Sequence, residues 1–273
     1  MKKFKELRIR EVPASVLGAA RKETFAALEA DLGRVEALGM LSFSVFAEYF
    51  EMVLLALRRE HPSHAAVTDE KAFLTQEARH SAACHVVNEC ALGSSIYRHD
   101  PRLGRIPNLV ESSLLRMDSP AEELWFVGAT IEAAFGVQSV LVMENAGDPR
   151  WMKHPGTYYV FLYHMAEEAE HSQVSWAMYE QTFGAIDTRQ SRFLTVLEAY
   201  GRGAARLMVR LGEHLGCPIT LPDALDTWMR VTNTGRTHAL NSDFERFTDA
   251  RRECVRKWDE IWEPQYRRAC ERV

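Results

Sequence analysis

Two segments of this chain place glutamate and histidine three residues apart on an otherwise apolar helical face: FLTQEARH, with Glu77 and His80, and MAEEAEH, with Glu168 and His171. Residues three apart share one side of an α-helix, so each pair can hold a single ion between its side chains. The first face reads Phe73, Glu77, His80, Cys84, Val87 and Ala91; the second reads Phe161, His164, Glu168, His171, Ser175 and Met178. Charge directed into a core is unfavourable unless it is paired or binds metal. Among 38 acidic residues and 10 histidines one such match arises by chance, usually on a solvated face. Two matches on apolar faces constrain the fold much more tightly.

The remainder of the chain also reads as helix, with no alternating strand pattern and no Asn-Gly hairpin signal. Breakers fall at His61-Pro62, Asp100-Pro101, Pro107, Ser119-Pro120, Asp148-Pro149, His154-Pro155-Gly156, Pro218 and Pro222. They predict a helix ending near Arg59, a second from Thr68 to Arg98, and a third from Pro120 to Asn145. A fourth runs from Gly156 to Phe183 and a fifth from Arg189 to Leu215, with broken helix after Pro222. Ser119-Pro120-Ala121-Glu122 reads as a helix start with a serine cap, a first-position proline and a capping box.

Isolated acids interrupt the two helices that precede the motifs. Glu48 breaks the stripe Leu41, Val45, Met52, Leu55, and Glu132 breaks the stripe Trp125, Gly128, Phe135, Ser139, Met143. In an antiparallel hairpin, residues equidistant from the turn come level. The midpoint of Glu48 and Glu77 is 62.5, at His61-Pro62-Ser63; that of Glu132 and Glu168 is 150, beside Gly147-Asp148-Pro149-Arg150. Each hairpin then sets one glutamate beside one Glu-x-x-His, about 20 Å from its turn at ~1.5 Å per residue. Docking the hairpins as a four-helix bundle, with residues 99–119 crossing between them, gathers the ligand set of di-iron and di-manganese bundle proteins. The competing reading is buried ion pairs in an ordinary bundle.

Composition sets the wider bounds. At 47% apolar and 26% charged, 273 residues can bury a large core, and a net charge of −5 gives no electrostatic reason to expect nucleic acid. The start, MKKFKELRIRE, lacks the apolar run of a signal peptide. Five scattered cysteines (Cys84, Cys90, Cys217, Cys254, Cys270) suit reduced thiols and a cytoplasmic setting. Residues 38–57 are apolar enough to suggest a membrane span, but Glu48 and Glu51 near the middle favour a buried core helix, so no membrane partner is expected. The expected organisation is residues 1–184 as the bundle with its lead-in and 185–273 as additional helices. A homodimer is expected, with Phe244, Phe247, Trp258 and Trp262 covering apolar surface either within the chain or at the dimer contact.

The segments FAEYF, FLTQEARHSAACHVVNE, ATIEAAFG and YHMAEEAEHSQVSWAMYE resemble the predicted metal-dependent hydrolases, a bacterial family with a ferritin-like di-metal signature. The resemblance covers residues 38 to 184 and implies a ferritin-like four-helix bundle. It nominates Glu48, Glu77, His80, Glu132, Glu168 and His171 as metal ligands, with His164, one turn before Glu168, as a candidate seventh. The family pattern continues from the second motif helix to a further histidine one turn on and then an asparagine. Here Cys84 holds that position, His85 follows it and Asn88 remains. Glu51, Glu167 and Glu170 point off the stripes and are expected behind the ligands or facing solvent.

Carboxylate-rich sites with one or two histidines per metal suit iron or manganese. The expected cofactor is therefore two iron ions, with manganese or a mixed pair as alternatives. Gly128, Ala129, Ala133 and Gly136 leave space beside Glu132, and Phe46, Phe135, Trp125 and Tyr163 can wall an apolar pocket. The apolar setting and reducible metals favour an oxidase or oxygenase using O2 and an electron donor on a small organic substrate, N-oxygenation included. Metal-assisted hydrolysis is the first alternative and iron handling by a ferroxidase the second.

Overall fold

The periodic segments resolve into helices, and no strand occurs among the described residues, which are 7–60, 70–93, 120–185, 191–232 and 244–273 of this computed structural model. Helix α1 spans Ala14–Ala20, α2 Phe25–Leu32, α3 Arg34–Glu60, α4 Glu70–Leu92 and α5 Ala121–Met143. Then come α6 at Pro155–Phe183, α7 at Ser191–His214, α8 at Leu221–Thr232, α9 at Phe244–Lys257 and α10 at Glu263–Cys270. A π-helical turn, Trp258–Trp262, joins the last two. The protein is all-α.

Four long helices carry the two motifs and the acids that precede them. α3 packs along α4, α5 along α6, and α6 along α4. Phe43, Phe46 and Phe50 of α3 meet Phe135 of α5 edge-on, with ring centroids 5.4, 6.3 and 5.8 Å apart. Around this core α7 lies against α3, α8 against α7, and α9 and α10 against α6. The expected turn at Gly147-Asp148-Pro149-Arg150 does separate α5 from α6. The turn at 61–63, the 99–119 crossing and the Ser119 cap lie outside the described residues.

Several local expectations change. α5 begins at Ala121, with Pro120 extended at φ −54° and ψ 143°. Glu122 binds Arg192 at 2.8 and 3.1 Å and accepts from the Tyr179 hydroxyl. α4 stops at Leu92 rather than Arg98, where Gly93 takes φ 81°. The lead-in before α3 holds two further helices, and they anchor the start of α6. Pro155 opens α6, and the Glu23 carboxylate accepts from the amides of Gly156 and Thr157 at 2.9 and 2.7 Å. Those are amides that a helix start leaves without partners. Gly156 is required there, because a Cβ would lie 2.2 Å from the Ala20 backbone nitrogen.

Trp258 is fully buried against Tyr159 of α6, with centroids 5.1 Å apart, so it is covered within the chain. Trp262 is partly buried near Gly147, while the side chains of Phe244 and Phe247 lie outside the described set. All five cysteines are unbridged. Among the described residues one helix, Ala121–Met143, is long and apolar enough to cross a membrane, and 89% of its most apolar window is buried inside the protein.

Candidate metal centre

Three histidines and four glutamates converge where α3, α4, α5 and α6 meet. Glu51 from α3, His80 from α4, and His164 and Glu168 from α6 form one group whose ligand atoms lie within 4.8 Å of one another. Glu77, His80, Glu168 and His171 form a second group under the same limit, sharing His80 and Glu168 with the first. His164 Nε2 lies 3.0 Å from Glu168 Oε1 and 3.2 Å from Glu51 Oε1. His171 Nδ1 lies 2.6 Å from Glu77, 3.3 Å from Glu168 and 3.9 Å from Glu132 of α5. All seven residues are buried.

Each histidine is held from behind, which decides the nitrogen it presents. His80 Nε2 donates to Glu167 Oε2 at 2.8 Å, leaving Nδ1 inward. His171 Nε2 donates to Gln76 Oε1 at 3.0 Å, and Gln76 in turn donates to the Arg8 carbonyl. His164 turns Nε2 inward and sets Nδ1 3.7 Å from Cys84 Sγ. Arg10 secures Glu167 and Glu170, with contacts of 3.4 and 3.0 Å. Such outer partners fix ring orientation and raise ligand basicity.

The inner atoms have no such satisfaction. Both oxygens of Glu51, Glu77 and Glu132, Oε2 of Glu168, and Nδ1 of His80 and His171 are buried and make no well-aligned hydrogen bond, although His171 Nδ1 stands in ion-pair contact with Glu77 at 2.6 Å. Buried acceptors of this kind cost roughly 1–3 kcal/mol each when nothing binds them. Burial pushes the carboxyl pKa of Glu51, Glu77 and Glu132 upward, and neighbouring carboxylates reinforce that for Glu51 and Glu132. Burial opposes the charge on Glu168 as well, yet His171, His164 and His80 hold its pKa well below the usual range. His80 rises to about 9 because Glu167 and Glu168 outweigh burial, whereas burial and the His80 charge lower His164 to about 4. Burial pushes Cys84 up to about 12, so it stays a thiol beside an oxygen and nitrogen donor set. Four carboxylates match the charge of two divalent ions, and the orphaned atoms all face inward. The residues present fit such a pair.

The structure therefore brings together Glu77, His80, Glu132, His164, Glu168 and His171. It does not bring Glu48 to them. Glu48 is buried at the outer side of α3 and α4, where it meets His85 Nδ1 and Asn88 Nδ2, each at 2.8 Å. Glu51 takes the place expected of Glu48. The connection between α3 and α4, on which the choice of Glu48 rested, lies outside the described residues. His85 is likewise away from the cluster, between Glu48 and Glu89. Glu167 bonds His80 from outside the cluster, and Glu170 is joined to Glu167 through Arg10.

Sequence reasoning also missed Gln76 and Arg10, because neither lies on an apolar stripe. The expected pocket wall needs correction too. Phe46 and Phe135 pack with Tyr200 as core, at 4.9 and 5.8 Å. Tyr163 instead lines a recess against Arg8, Arg10 and Asp259.

Fold and site together define an all-α protein with a buried carboxylate–histidine cluster compatible with two metal ions. The chain matches the predicted metal-dependent hydrolase family over residues 42–265 and belongs to that family. No curated protein and no solved structure matches it. Membership overturns the oxidoreductase expectation and favours a hydrolase. That expectation leaned on apolar stripes around the motifs; the polar groups behind the histidines come from other positions, Arg10 and Glu167 among them.

Proposed function

We propose that this protein is a metal-dependent hydrolase holding two divalent first-row ions, ferrous iron or manganese, in the cluster. The observation that carries the reading is the set of inward-facing carboxylate and imidazole atoms that make no well-aligned hydrogen bond, in a chain whose family is one of predicted metal-dependent hydrolases. Glu51 and His164 serve one edge, Glu77, His171 and Glu132 the other, and Glu168 and His80 stand between. More than four oxygen and nitrogen donors favour iron or manganese over zinc, which prefers a tetrahedral set. Bound ions supply Lewis acidity and make water a nucleophile near neutral pH.

The chain's own groups prepare the site. Glu167 and Gln76 keep a proton on the outer nitrogens of His80 and His171, so the inner nitrogens are the ones that would release a proton to coordinate an ion. Phe73 and Phe135 pack edge-on to His171 and His164, with centroids 4.9 and 6.2 Å apart, and exclude bulk water. The test is to strip the protein with chelator, reload it with manganese or, anaerobically, with ferrous iron, and assay nitrophenyl carboxylic and phosphoric esters. Two ions per chain and metal-dependent turnover are expected, with both lost in His80→Ala and His171→Ala while helicity survives. Protein that binds two ions and turns over neither ester class refutes the reading.

A further inference from the structure

A cleft of about 720 Å³ opens between the start of α3 and the α5–α6 turn, a volume that suits a small organic ligand. Met40, Phe43, Phe161 and Met165 form part of its lining. Met40, Phe43 and Phe161 also border a second, tighter space of about 10 Å³, room for roughly one water molecule. That inner space reaches Ser44, Cys84 and His164. The two cavities thus share one wall of side chains, with a residue of the metal cluster on its far side.

Phe43 is the central member of that wall. Its ring centroid lies 5.3 Å from His164, 5.3 Å from Phe161 and 5.4 Å from Phe135. The Nε2 of that His164 ring faces Glu51 and Glu168. A water-sized inner space admits no organic substrate while Met40, Phe43 and Phe161 stay in place, and Phe43 is the member of that wall whose ring packs on His164.

The cleft also indicates what it accepts. Its inner lining is aromatic and thioether, and the charges at its rim are already paired. Arg150 binds Asp148 at 2.6 Å and Glu36 at 3.1 Å, and Arg34 binds Glu29 at 2.8 Å. An anionic substrate would have to displace these partners; an uncharged one need not. Resting on the hydrolytic reading above, we propose that this cleft binds the substrate, that the substrate is an uncharged molecule with an apolar body, and that Phe43 gates its passage to the His164 edge of the cluster.

The experiment uses full-length, manganese-loaded protein and three readouts. The neutral dye Nile red, displaced by octyl acetate, reports binding in the cleft. Leu141→Trp and Asn145→Trp place bulk in the cleft from positions that are half-buried and exposed. Each is expected to weaken the dye at least tenfold at unchanged metal content. Release of manganese to dipicolinate reports access to the cluster. Phe43→Ala, or Phe43→Leu if alanine costs helicity, should accelerate release at least tenfold, whereas Phe46→Leu, a comparable core change away from the cleft, should not. Turnover of nitrophenyl octanoate over acetate reports preference for an apolar body.

Dye binding that both tryptophan variants leave unchanged overturns the proposal, as does a release rate that Phe43 does not influence. Either result can stand beside ester hydrolysis, which would leave the hydrolytic reading intact. Conversely, dye and release behaving as expected without any hydrolysis would uphold the cleft and remove the hydrolytic reading.

Discussion

Replacing Glu167 tests how far the metal centre depends on groups that stand behind its ligands. Glu167 is fully buried, with Oε2 2.8 Å from His80 Nε2 and Oε1 within reach of the Arg10 side chain and amide. Outer partners of metal-bound histidines are worth about 10- to 100-fold in affinity, or roughly 1.4–2.7 kcal/mol. Complete burial and a short contact put Glu167 at the upper end of that range. Glutamine retains an acceptor for Nε2–H and loses the charge; alanine also orphans Nε2–H, at a further ~1–3 kcal/mol of fold stability. Arg10 keeps Glu170 at 3.0 Å and Asp259 at 3.2 Å in either variant, so its own loss is small. Manganese titration against a competing chelator should therefore show about 30- to 100-fold weaker binding for both variants. Thermal unfolding of metal-free protein should single out alanine, at about 2–4 °C per kcal/mol for a chain of this size. An alanine variant that binds manganese within about threefold of the native protein would refute the reasoning, since such partners normally count for at least tenfold.

Three further outcomes follow from the same geometry. Glu51→Ala should lose one of the two metals while Glu48→Ala keeps both, because Glu51 belongs to the cluster and Glu48 to His85 and Asn88; metal analysis of the two purified variants decides it. Saturating metal at about 100 times Kd should add roughly 2.7 kcal/mol per site, so chelation should lower Tm by several degrees; unchanged melting would mean the orphaned carboxylates are not metal ligands. Gly156→Ala should destabilise by about 1–3 kcal/mol or more through overpacking, because its Cβ would meet the Ala20 backbone at 2.2 Å, and denaturant unfolding measures this directly.

What the sequence made legible was whatever repeats at helical spacing. Glu77 with His80, and Glu168 with His171, sit three apart on apolar faces, and the structure sets both pairs in one buried cluster. The all-α class and the α5–α6 turn were equally open to that reading, since Asp148-Pro149 marks a break between two long periodic runs. The structure sets Glu51 rather than Glu48 among the motif residues. Glu48 and Glu51 are three residues apart on one helix, both buried, and only the length of the connection to α4 decides which comes level with the motif. Gln76 and Arg10 were beyond periodicity altogether. Gln76 adjoins Glu77 and looks like a routine helical amide until its partners are known, and Arg10 acts across 157 residues of sequence to reach Glu167.

That distance explains how such a site can be both buried and ordered. Every cluster residue lies between 51 and 171, inside the stretch that matches the family, whereas part of what holds the cluster lies outside it. The extended segment before α1 crosses α4 and α6: the Arg8 carbonyl takes Gln76, the Arg10 carbonyl takes Arg79 at 2.7 Å, and the Arg10 guanidinium takes Glu167 and Glu170. The same guanidinium binds Asp259, which the π-helical turn presents after Trp258 is buried against Tyr159. Burial alone would lower the Arg10 pKa, but Glu170, Asp259 and Glu167 raise it, so the guanidinium stays charged where it is needed. A π turn is seldom kept within a helix without a local reason. Here it delivers a carboxylate that connects the C-terminal helices, through Arg10, to the groups behind His80 in the buried cluster.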